Sequence, residues 1–93
     1  MKFTWDESKN HINIAKHGID FNDACDMFSH PMLTCFDRKK EYGEERWVGI
    51  GFLKGTIAVI VYTEDDDKDI IRIISARKAT KYESTKLKEK FTN

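Results

Sequence analysis

Within residues 56–63, Thr-Ile-Ala-Val-Ile-Val-Tyr-Thr, the run Ile57 to Tyr62 is apolar at both alternating sets of positions. A strand of that kind has no face to show to water, so it must lie centrally in a sheet that is covered on both sides. A second run, Ile70-Ile71-Arg72-Ile73-Ile74, follows after an acidic stretch, Glu64 to Asp69, and carries an arginine in its middle. Another arginine, Arg77, comes five residues later in Ser75-Ala76-Arg77-Lys78-Ala79-Thr80. Isoleucines suit a buried strand, whereas guanidinium groups do not, so the end of this strand is expected to meet something anionic.

The remaining elements follow from local signals. Thr4 and Glu7 have the spacing of a capping box, which predicts a first helix from about Asp6 to Lys16, closed at His17-Gly18. Asp20 is a good N-cap for a short second helix with Phe21, Ala24, Cys25 and Phe28 as its apolar stripe, ending at Ser29-His30-Pro31. Met32 to Phe36 reads as a strand followed by a charged loop, Asp37 to Glu44. Glu45 to Phe52 reads as a second strand, with Arg46, Val48, Ile50 and Phe52 on one face and Trp47, Gly49 and Gly51 on the other. Leu53-Lys54-Gly55 is a hairpin signal leading into residues 56–63. Thr80-Lys81-Tyr82-Glu83 repeats the capping-box pattern and predicts a last helix to about Phe91, with Tyr82, Leu87 and Phe91 as packing residues. The expected architecture is α+β: two N-terminal helices, a four-stranded mainly antiparallel sheet and a C-terminal helix.

Ninety-three residues make one domain with a modest core. No apolar run approaches the length of a membrane span and the N-terminus lacks a signal-peptide plan, so a cytoplasmic location is expected. Cys25 and Cys35 form no C-x-x-C pair and read as reduced packing residues, and the three histidines match no zinc spacing, so no metal is expected. Net charge is zero, yet residues 1–71 hold nine Lys/Arg against fourteen Asp/Glu while residues 72–93 hold seven against two. Such a chain can offer one basic surface to phosphate, or use its C-terminal charges only to solvate a helix.

Taken together, Trp5-Asp6-Glu7, Lys16-His17-Gly18-Ile19-Asp20-Phe21, Glu45-Arg46-Trp47-Val48-Gly49-Ile50-Gly51, Val61-Tyr62-Thr63-Glu64 and Arg72-Ile73-Ile74-Ser75-Ala76-Arg77-Lys78-Ala79 resemble the BrnT toxin family of bacterial type II toxin-antitoxin systems. The resemblance covers nearly the whole chain. It implies a RelE/ParE-like fold and a ribonuclease that needs no metal or other cofactor and arrests translation. It also implies a BrnA-like ribbon-helix-helix antitoxin as partner, with operator DNA engaged only through that antitoxin, and a homodimer or toxin-antitoxin heterotetramer as the assembly. Where the family pattern has an arginine after Tyr-Thr-Glu, this chain has Asp65-Asp66-Asp67.

RNA cleavage without a metal uses the 2′-hydroxyl as nucleophile, so the protein must accept its proton, stabilise charge on the phosphate and help the 5′-oxygen leave. Arginine suits the second task, because its planar fork holds two phosphate oxygens and stays charged. Arg72 and Arg77 are the first catalytic candidates, against a salt bridge of Arg72 with the preceding acidic turn and a solvated connector role for Arg77. Arg46 joins them if its strand lies near, or else pairs with Glu44 or Glu45. His17 is a candidate acid or base, or a helix-ending cap. Lys16, Lys78, Lys81 and Tyr82 are candidate RNA contacts; Tyr82 can stack on a base or pack. Glu83 reads as the reciprocal half of the cap, and Glu64 to Asp69 as a solvated turn that repels RNA locally.

Two other functions fit the same residues. One is a non-catalytic module whose basic helix binds an acidic partner or DNA. The other is a gyrase-poisoning toxin on the same scaffold, since fold alone does not choose between activities. In each case a sheet face left bare by helices is expected to be covered by an antitoxin or a second copy.

Overall fold

The chain, as a computed structural model, describes residues 1–37 and 45–92. Its elements run β1 (Lys2–Thr4), α1 (Glu7–His17), α2 (Phe21–Ala24) with a 3₁₀ turn over Cys25–Ser29, β2 (Met32–Asp37), β3 (Arg46–Leu53), β4 (Thr56–Asp65), β5 (Ile70–Lys78) and α3 (Lys81–Phe91). Residues 38–44 of the expected charged loop lie outside the described residues.

The sheet has five strands in the order β1-β5-β4-β3-β2, with β1 parallel to β5 and the other pairs antiparallel. The four expected strands are present, and β4 is central as its two apolar faces require. The added strand is β1. It pairs Phe3 with Ile71 and is held at its start by Lys2 N–H donating to Asp69 O at 2.9 Å and by the terminal amine against Asp69 Oδ2 at 2.8 Å. Because Thr4 belongs to that strand, the expected Thr4–Glu7 capping box does not form. Asp6 caps α1 instead, accepting from Ser8 N–H and Lys9 N–H, while Glu7 accepts the Trp5 indole N–H. Gly18, left-handed at φ 71°, closes α1 as expected. The second helix is shorter than its apolar stripe suggests, one turn of α2 capped by Asp20 and then the 3₁₀ turn.

One face of the sheet carries the main core. Ala58, Ile60 and Tyr62 of β4 and Ile71, Ile73 and Ala76 of β5 pack with Ile19, Phe21, Ala24 and Met27 from the helical segments. Phe28 of the 3₁₀ turn meets the Tyr62 ring edge-on at 4.9 Å, and burial pushes the Tyr62 phenol up to about 12. Gly49 and Gly51 of β3 lie on this side opposite Ile60 and Ala58, and Met32 occupies the space a side chain there would need: a Cβ on Gly51 would lie 2.7 Å from Met32 Cγ.

The opposite face carries Arg46, Val48, Ile50 and Phe52 of β3, as alternation predicts, and α3 lies over its β2–β3 side. Leu87 and Val59 are buried there, apart from the main core. That face is therefore covered in its apolar middle by the chain's own last helix. Tyr82 and Phe91, expected to pack, are 70% and 43% exposed, so Leu87 alone of the three anchors α3.

Candidate functional site

The face beneath α3 is organised by a bulge in β5. Tyr62 pairs with Ile73 and Val61 with Ser75, which leaves Ile74 without an opposite residue. Residues five apart in a regular strand point to opposite faces. The extra residue changes the parity, so Arg72, opposite Thr63, and Arg77, opposite Val59, share one face with Ser75 between them. Their partners on β4 are four positions apart, placing the two arginines about 13 Å apart along the strand, with Ser75 roughly 7 Å from each.

Arg46 joins at one end. Trp47 pairs with Tyr62, and one step further in that register sets Arg46 opposite Thr63, whose other neighbour is Arg72. Two guanidinium-bearing strands thus flank one threonine. Around Arg72, however, a cleft of about 600 Å³ is lined by Thr4, Thr63 and five carboxylates, Glu45, Glu64, Asp65, Asp66 and Asp67. This end is acidic overall, in keeping with the turn expected to repel RNA.

Arg77 is held differently. Its Nη1 and Nη2 donate to Glu83 Oε1 and Oε2, both at 2.8 Å, and Nη1 also donates to Lys78 O at 3.3 Å. Glu83 completes the capping box of α3 as well: Thr80 N–H donates to Oε1 at 2.8 Å, and Glu83 N–H to Thr80 Oγ1 at 3.2 Å. The guanidinium beside it holds the Glu83 carboxyl down at about 2, and the same pairing raises Arg77. Arg77 is thus no loose connector residue.

Lys16 and His17 stand across the outer edge of β5. The buried Asn13 clasps that edge, its Nδ2 donating to Ala76 O at 2.9 Å and to Ile19 O at 2.8 Å while its Oδ1 accepts Ala76 N–H at 3.1 Å. Asn10 does the equivalent for the next segment, accepting Phe21 N–H at 2.9 Å and donating to Asp20 at 3.0 Å. So fixed, α1 forms one wall of a groove of about 200 Å³, in which Lys9, Lys16 and His17 face Ile74 and Ser75.

The candidates therefore divide into groups. Arg72, Ser75 and Arg77 form a stripe on one face of β5, Arg46 adds to its acidic end, and Lys9, Lys16 and His17 flank its middle. Lys78 is not part of this: it pairs with Ala58 and lies beside Gly18 and Lys54 on the core side. Lys81 and Tyr82 are exposed at the start of α3, where Lys86 Nζ lies 5.3 Å above the Tyr82 ring. Sequence reasoning passed over Ser75, Asn13 and the second role of Glu83. Only Glu83 left a local trace, six residues from Arg77.

The comparisons agree with this architecture. Residues 5–83 match the model of a family described as the ribonuclease toxin BrnT of type II toxin-antitoxin systems. The crystal structure of the Brucella abortus ribonuclease toxin BrnT is similar at 31% identity with a TM-score of 0.64, covering 87% of this chain and 99% of that one. No curated protein matches.

Proposed function

This chain belongs to the BrnT family of ribonuclease toxins of type II toxin-antitoxin systems, and on that premise we propose that its RNA substrate lies along β5 on the face shared by Arg72 and Arg77. The observation that carries this reading is the bulge at Ile74, which turns both arginines to one side with Ser75 between them. Arg77 and Arg72 bind successive stretches of backbone and stabilise the charge that grows on the scissile phosphate. Arg46 assists Arg72 across Thr63. Lys16 and His17 line the RNA strand's path from the α1 side, and His17 is the group that exchanges a proton with the reacting oxygens. Lys81 and Tyr82 extend the contact at the start of α3, Tyr82 by stacking.

Cleavage proceeds by attack of the 2′-hydroxyl on the adjacent phosphate and needs no metal. The carboxylates about Arg72 make that end the place where RNA is admitted least readily, so the strand enters from the side of Arg77 and α1. The domain works in the cytoplasm on a RelE/ParE-like scaffold and halts translation. Its antitoxin is BrnA-like, with a ribbon-helix-helix domain through which a toxin-antitoxin heterotetramer reaches operator DNA.

The test is cleavage of a mixed-sequence RNA oligonucleotide by the purified chain in EDTA. Full activity is expected with EDTA present, together with loss of at least about 100-fold in Arg72→Ala. Arg72→Ala and Arg77→Ala variants that both cleave normally overturn the assignment of the site.

A further inference from the structure

We propose that Glu83 is a positioning residue of the ribonuclease, holding the Arg77 guanidinium so that one particular edge of it is presented to RNA; this rests on the reading of the β5 stripe given above. A guanidinium has five N–H donors arranged on two usable edges. Glu83 takes the end-on edge, one donor from each Nη, and Lys78 O takes the second donor of Nη1. What remains is Nε–H and one N–H of Nη2. These two are adjacent and parallel, the side-on pair that grips two oxygens of a phosphate. Among the described residues neither has a protein acceptor, and the Arg77 side chain is 41% exposed while Glu83 is 22% exposed. The fork is thus sheltered on its carboxylate side and open on the other.

The carboxylate is itself fixed. Thr80 N–H donates to the same Oε1 that receives Arg77 Nη1, so Glu83 cannot swing away without opening the first turn of α3. Arg77 is held by the helix start rather than by a mobile surface acid. A lone arginine would spend rotamer entropy on each phosphate it gripped, whereas this one has spent it on folding.

The test compares kcat and KM on the mixed-sequence RNA oligonucleotide, with Tm, for Glu83→Gln, Thr80→Ala, Arg77→Ala, Arg77→Lys and the Arg77→Ala/Glu83→Gln double variant. Glu83→Gln keeps an acceptor for Thr80 N–H but cannot receive both arginine donors; its kcat is expected to fall about 10- to 100-fold. Thr80→Ala weakens the cap and leaves the fork, so its kcat stays within about threefold of the unsubstituted chain. Arg77→Lys keeps the ion pair without the second edge and falls to the level of Arg77→Ala. The double variant is no slower than Arg77→Ala, because Glu83 acts only through the guanidinium. An additive double variant, a fully active Arg77→Lys, or kcat losses that merely track Tm across Glu83→Gln and Thr80→Ala overturn the proposal. An impaired Arg77→Ala beside an unimpaired Glu83→Gln, or a normal Arg77→Ala beside an impaired Arg72→Ala, overturns this proposal alone, whereas normal cleavage by both arginine variants overturns the RNA path and this proposal with it.

Discussion

Asn13 serves Ala76 as a neighbouring strand would. Its carboxamide donates to Ala76 O at 2.9 Å and accepts Ala76 N–H at 3.1 Å, 63 residues away in the chain. β1 pairs with β5 only over Ile70–Arg72, so beyond that point the edge of β5 is met by a helix side chain instead of a strand. Asn13 is 5% exposed, and its Nδ2 also satisfies Ile19 O at 2.8 Å. Asn13→Ala leaves three backbone groups without this partner and is expected to cost roughly 2–4 kcal/mol, read as a lowered urea midpoint. Asn13→Asp should cost at least as much, since it sets a carboxylate oxygen against two carbonyls. Wild-type stability in both variants would show that the clasp is replaceable by water.

The Arg77–Glu83 fork gives stability a defined acid limb. The Glu83 carboxyl is lowered from 4.5 to about 2, so the folded chain prefers it ionised more strongly than the unfolded chain does. Its contribution is complete above about pH 4.5 and is lost as pH falls towards 2. Partial exposure of the pair screens the effect, leaving on the order of 1–2 kcal/mol. Urea unfolding between pH 6 and pH 2 should therefore show a steeper loss for the unsubstituted chain than for Glu83→Gln, the two curves converging at the acid end. Parallel curves would sink this assignment.

What could be read from the sequence was what neighbouring residues decide. Asp20, Gly18 and the Thr80–Glu83 box act within one helical turn, and the hairpin at Lys54-Gly55 has φ of 46° and 78° as its two-residue turn demands. β1 escaped because three residues cannot display a period, and because its parallel partner lies nearly 70 residues on. Thr4 and Asp6 are both credible caps; the strand claims the first and leaves the second. The arginine stripe was half legible. Arg72 and Arg77 announce themselves by type, but a separation of five predicts opposite faces, and only pairing with β4 reveals the skipped Ile74. Asn13 left no local signal at all, since a polar residue on a helix is ordinarily read as solvent-facing. Here the pattern is inverted, with Asn10 and Asn13 buried and Ile12 65% exposed.

Gly51 is held at its size by a contact. Its missing Cβ would approach Met32 Cγ to 2.7 Å, an inner atom of the side chain that cannot rotate away as the terminal methyl can, and Met27 closes the other side. Gly51→Ala is expected to destabilise by about 1–3 kcal/mol through overpacking, outweighing the gain a strand ordinarily draws from replacing glycine. Pairing with Met32→Ala should recover part of that loss, because the methionine then no longer fills the space. A thermal melt of the single and double variants measures both, and a Gly51→Ala chain as stable as the parent would mean that β2 shifts outward at little cost.

Electrostatics separates the proposed RNA face from the rest of the positive charge. Lys16 lines the groove against Ile74 and Ser75, whereas Lys78 lies beside Gly18, Asp23 and Lys54 on the core side of the sheet. Each phosphate contact made by a cation adds about 0.7 to the slope of log K against log salt for a single strand. A 2′-O-methyl RNA, which lacks the attacking hydroxyl, allows binding to be followed by anisotropy without cleavage. Lys16→Ala should lower the slope by about 0.7 and weaken binding uniformly across sequences, while Lys78→Ala should leave the slope unchanged within about 0.2. The two lysines contribute equally to net charge, so an attraction of RNA to net positive charge alone would make the variants indistinguishable. A larger effect for Lys78 would place the strand on the opposite face, where neither Arg72 nor Arg77 reaches it.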